Sequence, residues 1–218
     1  MPALPSMAIR GIVFDLDGTL YVCSAFADTI QEEANAYIAD LLGIRKAQAF
    51  QLIADTRARL AEESGTVQTL SSVCSELGGN IRELHRRFEE NLRPEDYLVR
   101  DERVVGLLQR LAEHFSLYIY TNNNHVLATR IINHLGLDGL FCTVFAIDDA
   151  WRSKPDEQML AGILKETGLA PAEALFVGDR YDVDLRVPEQ YCCPVYLSRT
   201  VEQLLRLEEL LASRAAVD

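Results

Sequence analysis

The chain is 218 residues long, with 49% hydrophobic and 25% charged residues and a formal net charge of −12. This length suits one large domain or a core with a modest insert, and the composition supports a sizeable buried core and excludes disorder. The negative balance argues against non-specific binding to nucleic acid polymers or anionic membrane, and it obliges any anionic substrate to find local positive charge.

Residues 1–6 lack the basic start and long apolar region of a signal peptide, and no apolar stretch approaches a membrane span. Met7 offers an alternative start to Met1, because structure is expected to begin near Ile9. The apolar run 9–14 predicts a buried strand. From residue 25 to about 91 the pattern is helical. Residues 27–42 place Ile30, Ala34, Tyr37, Ile38, Leu41 and Leu42 on one side, and residues 46–64 place Phe50, Ile53, Ala54 and Leu60 on another. Shorter helices are predicted over 67–77 and 81–91, across breaks at Gly65 and at Gly78-Gly79. Four such helices with short loops predict a small bundle.

Beyond residue 97, helices and strands alternate. Helices are predicted over 104–114, 125–135, 156–167 and 201–213, and strands over 116–120, 143–147, 174–177 and 192–197. Alternation of this kind predicts a Rossmann-like parallel α/β sheet with helices on both faces. The first strand precedes the helical block. The expected organisation is therefore an α/β core of residues 1–22 plus 97–218, with a four-helix-bundle cap of residues 23–96 inserted into it. Five scattered cysteines without Cys-x-x-Cys spacing form no zinc cluster and fit a reducing cytoplasm, with Cys192-Cys193 read as small apolar residues of the last strand.

Polar groups recur where the predicted strands end. Asp15 and Asp17 follow the first, and two carboxylates sharing a cleft need either a cation or a proton between them. Thr121-Asn122-Asn123-Asn124 follows the 116–120 strand, where a hydroxyl and free N–H groups can hold phosphate oxygens. Lys154-Pro155 precedes a helix, and Gly178-Asp179 follows the 174–177 strand, with Asp182 and Asp184 beyond. Ligands of open parallel sheets bind at this edge.

These motifs, in this order, resemble the haloacid dehalogenase superfamily of phosphohydrolases, and insertion of a helical block after the first motif is similar to the members with a helical-bundle cap. Asp17 marks the phosphatase branch, since the dehalogenase branch lacks it. The resemblance implies that Asp15 is the nucleophile that forms an aspartyl-phosphate, and that Asp17 is the general acid and base. It implies that Thr121, Asn122 and Lys154 bind phosphate. It also implies that Asp15, Asp17 (through its backbone carbonyl) and Asp179 hold Mg²⁺, with Asp184, or alternatively Asp182, in support. The expected substrate is a small phosphorylated metabolite. Leu20-Tyr21, the Asn run and Ser64-Gly65-Thr66 are similar to the pyrimidine 5′-nucleotidase-like branch, with Ser64 replacing its Tyr and Gly18 its Asn, and a phosphoglycolate-type substrate is open as well. Gly65 and Thr66 are the expected specificity loop. Two other readings use related chemistry. A phosphomutase forms the same aspartyl-phosphate. A phospho-accepting receiver domain also sets acidic residues, Thr and Lys at strand ends, but spans only about 120 residues with no insert.

Overall fold

One parallel sheet organises the molecule: β1 (Gly11–Phe14), β2 (Ser116–Tyr120), β3 (Thr143–Phe145), β4 (Ala174–Gly178) and β5 (Val195–Leu197), in the order β3-β2-β1-β4-β5. The computed structural model describes the backbone over residues 9–215 and side chains to residue 211, so the choice between Met1 and Met7 as start lies outside the described residues. Successive strand residues serve opposite faces. Ile12, Phe14, Leu117, Ile119, Leu175 and Val177 enter one apolar cluster, while Val13, Tyr118, Tyr120, Ala174 and Phe176 enter a second. Helices cover both: α5 (Glu102–Ala112) and α6 (His125–His134) contribute to the first, and α7 (Glu157–Thr167) and α8 (Arg186–Gln190) to the second. Burial on two sides is why these strands read as unbroken apolar runs. The chain closes with α9 (Val201–Leu205) and α10 (Leu207–Ala215).

Between β1 and α5 run α1 (Ser24–Leu42), α2 (Lys46–Ser64), α3 (Leu70–Glu76) and α4 (Ile81–Asn91), with α1 packed against the other three. Ala34, Ile38, Ala49, Ile53, Val73 and Leu84 fill the space between them. The apolar cluster continues without interruption through Leu16, Leu20, Phe26, Phe88 and Leu92 into the sheet. Where the chain leaves the sheet and returns to it, Cys23 Sγ donates to the Tyr97 carbonyl at 3.6 Å, so the two crossings lie side by side.

Several boundaries shift for local reasons. The helix expected from residue 67 starts at Leu70, because the Thr69 hydroxyl caps it by accepting from the Ser72 N–H at 3.2 Å. Leu41, Leu42 and Phe50, expected on the buried faces, flank the α1–α2 turn and are exposed. The strand expected over 143–147 stops at Phe145, where Ile147–Asp149 turn as a short 3₁₀ helix. Cys192-Cys193 is not part of a strand: Cys192 is exposed at φ 64 in the turn before β5, and only Cys193 is buried. All five cysteines are free thiols. Among the described residues no helix is long and apolar enough to cross a membrane.

Candidate active site

The sheet register decides which side chains meet. Phe14 is level with Ile119 on β2 and with Val177 on β4, so the residues that follow these strands emerge together at one edge. Asp15 is the first residue past β1, and its N–H is still held by the Val177 carbonyl at 2.8 Å. Its carboxylate is buried, accepting from the Thr19 hydroxyl at 3.1 Å and the Lys154 ammonium at 2.5 Å.

Past Asp15 the chain folds back on itself. Gly18 N–H donates to the Tyr21 carbonyl at 2.9 Å and Leu20 N–H to that of Leu16 at 3.1 Å, which returns Tyr21 alongside Asp17. Gly18 adopts φ 87, and a Cβ there would lie 2.6 Å from Asp179 Oδ2, so glycine is required twice over. Both oxygens of Asp17 are occupied: Tyr21 Oη donates a short hydrogen bond to Oδ1, and Asn123 Nδ2 donates to Oδ2 at 2.7 Å.

Lys154 is 1% exposed and spends its three ammonium protons on three acceptors: Asp15 Oδ1, Asp184 Oδ1 at 2.6 Å and the Tyr120 carbonyl at 2.9 Å. Its backbone N–H donates to Asn122 Oδ1 at 2.7 Å, which ties the lysine loop to the end of β2. Asp184 reaches the site because residues 181–185 form a wide π-type turn and Gly178 has no Cβ to obstruct it; its second oxygen accepts from the Arg180 N–H at 3.0 Å. Asp182 is left half-buried on the same turn, outside this network. One oxygen each of Asp15, Asp179 and Asp184 lie within 4.8 Å of one another. Of these carboxylates only Asp179 has an orphan: its Oδ1 is buried without a hydrogen-bond donor, the Arg180 Nε standing at 3.6 Å.

The electrostatics follow from this crowding. Burial, reinforced by the charge of Asp184 and opposed by Lys154, pushes the Asp15 carboxyl up to about 7. Burial also raises Asp17, against the Tyr21 hydrogen bond, and raises Asp179, against Arg180. For Lys154, burial pulls downward, but Asp15 and Asp184 outweigh it and hold the ammonium charged.

Thr121 and Asn122 follow β2 at the same edge. The Thr121 hydroxyl accepts from the Asn123 N–H at 3.1 Å and keeps its own proton for another acceptor. His125, by contrast, is the first residue of α6. Asp148 accepts from its N–H at 2.9 Å and Asp149 from its ring at 2.8 Å, which accounts for the acidic pair after β3 as a support for the helix start.

A cavity of about 390 Å³ opens between this edge and the helices. Asp17, Asn122, Asn123, Asp179 and Arg180 form its floor; Ala27, Ile30 and Phe88 form an apolar wall. Thr69, Leu70, Ser71 and His85 also line it. Ser71 Oγ and His85 Nε2 are 3.1 Å apart, and burial pushes the imidazole down to about 4, so it is neutral near pH 7. Gly65 and Thr66 are not among the lining residues. Gly65 ends α2 at φ 67 with nothing within 4 Å of where a Cβ would be, and Thr66 Oγ1 turns to Ser64 Oγ at 3.0 Å. The helical side of the cavity is thus lined by α1, by residues 69–71 and by α4, and not by the expected Gly65 loop. His85 sat in the α4 periodicity as an ordinary helical residue, and nothing in the spacing marked it. Tyr21 and Asn123 stood inside quoted motifs, but their convergence on Asp17 depends on the turn at Gly18.

A family model described as haloacid dehalogenase-like hydrolase matches residues 9–190. The chain belongs to the haloacid dehalogenase-like hydrolase family. It is similar to the glyceraldehyde 3-phosphate phosphatase of Methanopyrus kandleri, 28% identical over 200 residues that cover 82% of this chain and 78% of that protein. It is also similar to the phosphoglycolate phosphatase of Photorhabdus laumondii, 26% identical over 187 residues, covering 85% and 78%. Its fold is similar to that of the HAD phosphatase from Thermococcus onnurineus, with a TM-score of 0.60 at 19% identity over 93% of this chain and 98% of that one. This haloacid dehalogenase-like chain is a phosphatase enzyme.

Proposed function

We propose that the chain hydrolyses small phosphate monoesters through an aspartyl-phosphate on Asp15, with Asp17 as general acid and then base, and with helices α1–α4 acting as a cap domain that selects the leaving group. The observation that carries this reading is the buried Asp15–Lys154–Asp184 network beside a separately held Asp17. Two carboxylates with different partners can take different roles. Lys154 offsets negative charge at the nucleophile, while Thr121 and the Asn122 N–H offer donors to the phosphoryl oxygens. As Asp15 bonds to phosphorus, the bond from phosphorus to the ester oxygen breaks and Asp17 supplies the proton to that oxygen. Asp17, now ionised, then takes a proton from the water that attacks the acyl phosphate.

Mg²⁺ fits the residues present. The orphaned buried Asp179 Oδ1 is a hard oxygen donor without a partner, and one oxygen each of Asp15 and Asp184 lies within 4.8 Å of a carboxylate oxygen of Asp179. Bound there with the Asp17 carbonyl, the ion would supply the positive charge that an acidic protein withholds from a phosphate.

The names of the similar proteins support short phosphorylated acids and aldehydes as substrates, and the apolar wall of Ile30 and Phe88 supports room for a larger leaving group. A screen of phosphoglycolate, triose and sugar phosphates and nucleoside monophosphates with Mg²⁺ tests this, scoring phosphate release. Release from none of them would overturn the reading, as would transfer of phosphate within a sugar phosphate without release.

A further inference from the structure

The general acid of the proposed reaction is held by a two-point clamp. Asn123 donates to one oxygen of Asp17 at 2.7 Å and Tyr21 donates to the other. Asn123 is itself immobilised, with its N–H on the Thr121 hydroxyl at 3.1 Å and its carbonyl accepting from the Ile147 N–H at 3.0 Å. Tyr21 is buried, pinned through its carbonyl to the Gly18 N–H and packed against Phe26 with ring centroids 6.5 Å apart. These two tethers come from opposite sides: the end of β2, and the segment that leads into α1. A carboxyl on the short, freely rotating Asp side chain otherwise samples several rotamers, and proton transfer to a breaking ester bond needs it in one.

We propose that Tyr21 and Asn123 are positioning residues for Asp17, which hold its carboxyl in the rotamer that delivers a proton to the leaving oxygen. This rests on the acid role of Asp17 proposed above. The clamp matters in proportion to how much the leaving group needs a proton. An alkoxide is a poor leaving group and depends on the acid; a nitrophenolate departs without one.

The test compares kcat/KM for p-nitrophenyl phosphate with that for the best-hydrolysed alkyl phosphate, in the Mg²⁺-loaded protein. This parameter reports formation of the aspartyl-phosphate and leaves the later attack of water out. Tyr21→Phe keeps the ring packing and removes only the hydroxyl; Asn123→Ala removes the other tether. Each is expected to depress the alkyl ester about tenfold more than the aryl ester, a fraction of the 10²–10⁴ that general acid catalysis supplies. Asp17→Asn should show the same selectivity more strongly. Equal losses on both esters in Tyr21→Phe and Asn123→Ala, with the selective loss retained in Asp17→Asn, would overturn the clamp and leave the acid in place. Equal losses in Asp17→Asn would overturn the acid assignment and the clamp with it.

Discussion

The sheet edge and the helical face opposite it bound the same cavity but are built differently. At the edge, three carboxylates have both oxygens held by directional hydrogen bonds: Asp15 by Lys154 and Thr19, Asp184 by Lys154 and the Arg180 N–H, Asp17 by Tyr21 and Asn123, while Asp179 Oδ1 has no donor. The helical face presents Ile30, Leu70, Phe88 and the Ser71–His85 pair, and its ion pairs lie on the outer surface, as in Arg86 with Glu83 and Glu90 and Arg59 with Glu63 and Glu76. Groups that must hold a reacting atom within tenths of an ångström need directional bonds. A surface that only sorts leaving groups by size and polarity can rely on packing, which tolerates replacement. Changes at the edge should therefore destroy turnover, and changes on the helical face should redistribute it.

The sharpest break of this comparison is at the nucleophile. Asp15→Asn is expected to lower kcat by more than about 10³-fold, because an amide cannot form the covalent intermediate, while circular dichroism stays native. Substantial residual turnover by a folded variant would remove Asp15 from that role.

Lys154→Met should lower both activity and stability. It leaves Asp15 and Asp184 buried together without their cation, a change that costs about 3–5 kcal/mol when a buried ion pair loses one partner. Denaturant titration at pH 7 measures it. The loss should deepen as the pH rises above 7, because Asp15, already raised by burial and no longer lowered by Lys154, then gives up the proton it shares with Asp184.

Chelation should abolish activity and Mg²⁺ restore it. Asp179→Ala is expected to raise the Mg²⁺ concentration that gives half-maximal rate, measured with a single ester. Activity that survives exhaustive chelation would sink the metal assignment.

A smaller effect concerns pH. The Asp15 carboxyl sits at about 7 in the folded chain, against about 4 when unfolded. Between these values the folded chain keeps a proton that the unfolded chain has released, so the metal-free protein should lose stability as pH rises from about 4 to 7. Mg²⁺, held as proposed by the ionised carboxylates, should flatten that slope. Melting temperatures with and without Mg²⁺ read it directly, and a metal-free protein that gains stability across this range would contradict the buried environment of Asp15.

The mildest perturbations test the helical face. Ser71→Leu or Phe88→Leu should reorder a panel of leaving groups, whereas Thr66→Val, in a turn bonded to itself, should leave the order as it is. A reordered panel in Thr66→Val would bring the Gly65 loop back to the cleft.

By itself the sequence determined the polar groups of the sheet edge. Asp15, Asp17, Thr121, Lys154 and Asp179 each follow a recognisable strand or precede a helix, and in parallel strands the end of one element lies beside the end of the next. Local order along the chain is therefore enough to foretell a shared edge. The helical block was equally legible as helices, since apolar periodicity is a property of a few consecutive turns. Only the tertiary structure decided the rest. It chose Asp184 over Asp182 through a wide turn that spacing does not encode. It brought Tyr21 and Asn123 to the two oxygens of Asp17 through a glycine turn and a strand register. It also lined the helical side of the cavity with Ile30, residues 69–71, His85 and Phe88 and left Gly65 and Thr66 out of that lining. The angle at which four helices meet a sheet is set by their joint packing, and no stretch of sequence carries that information alone.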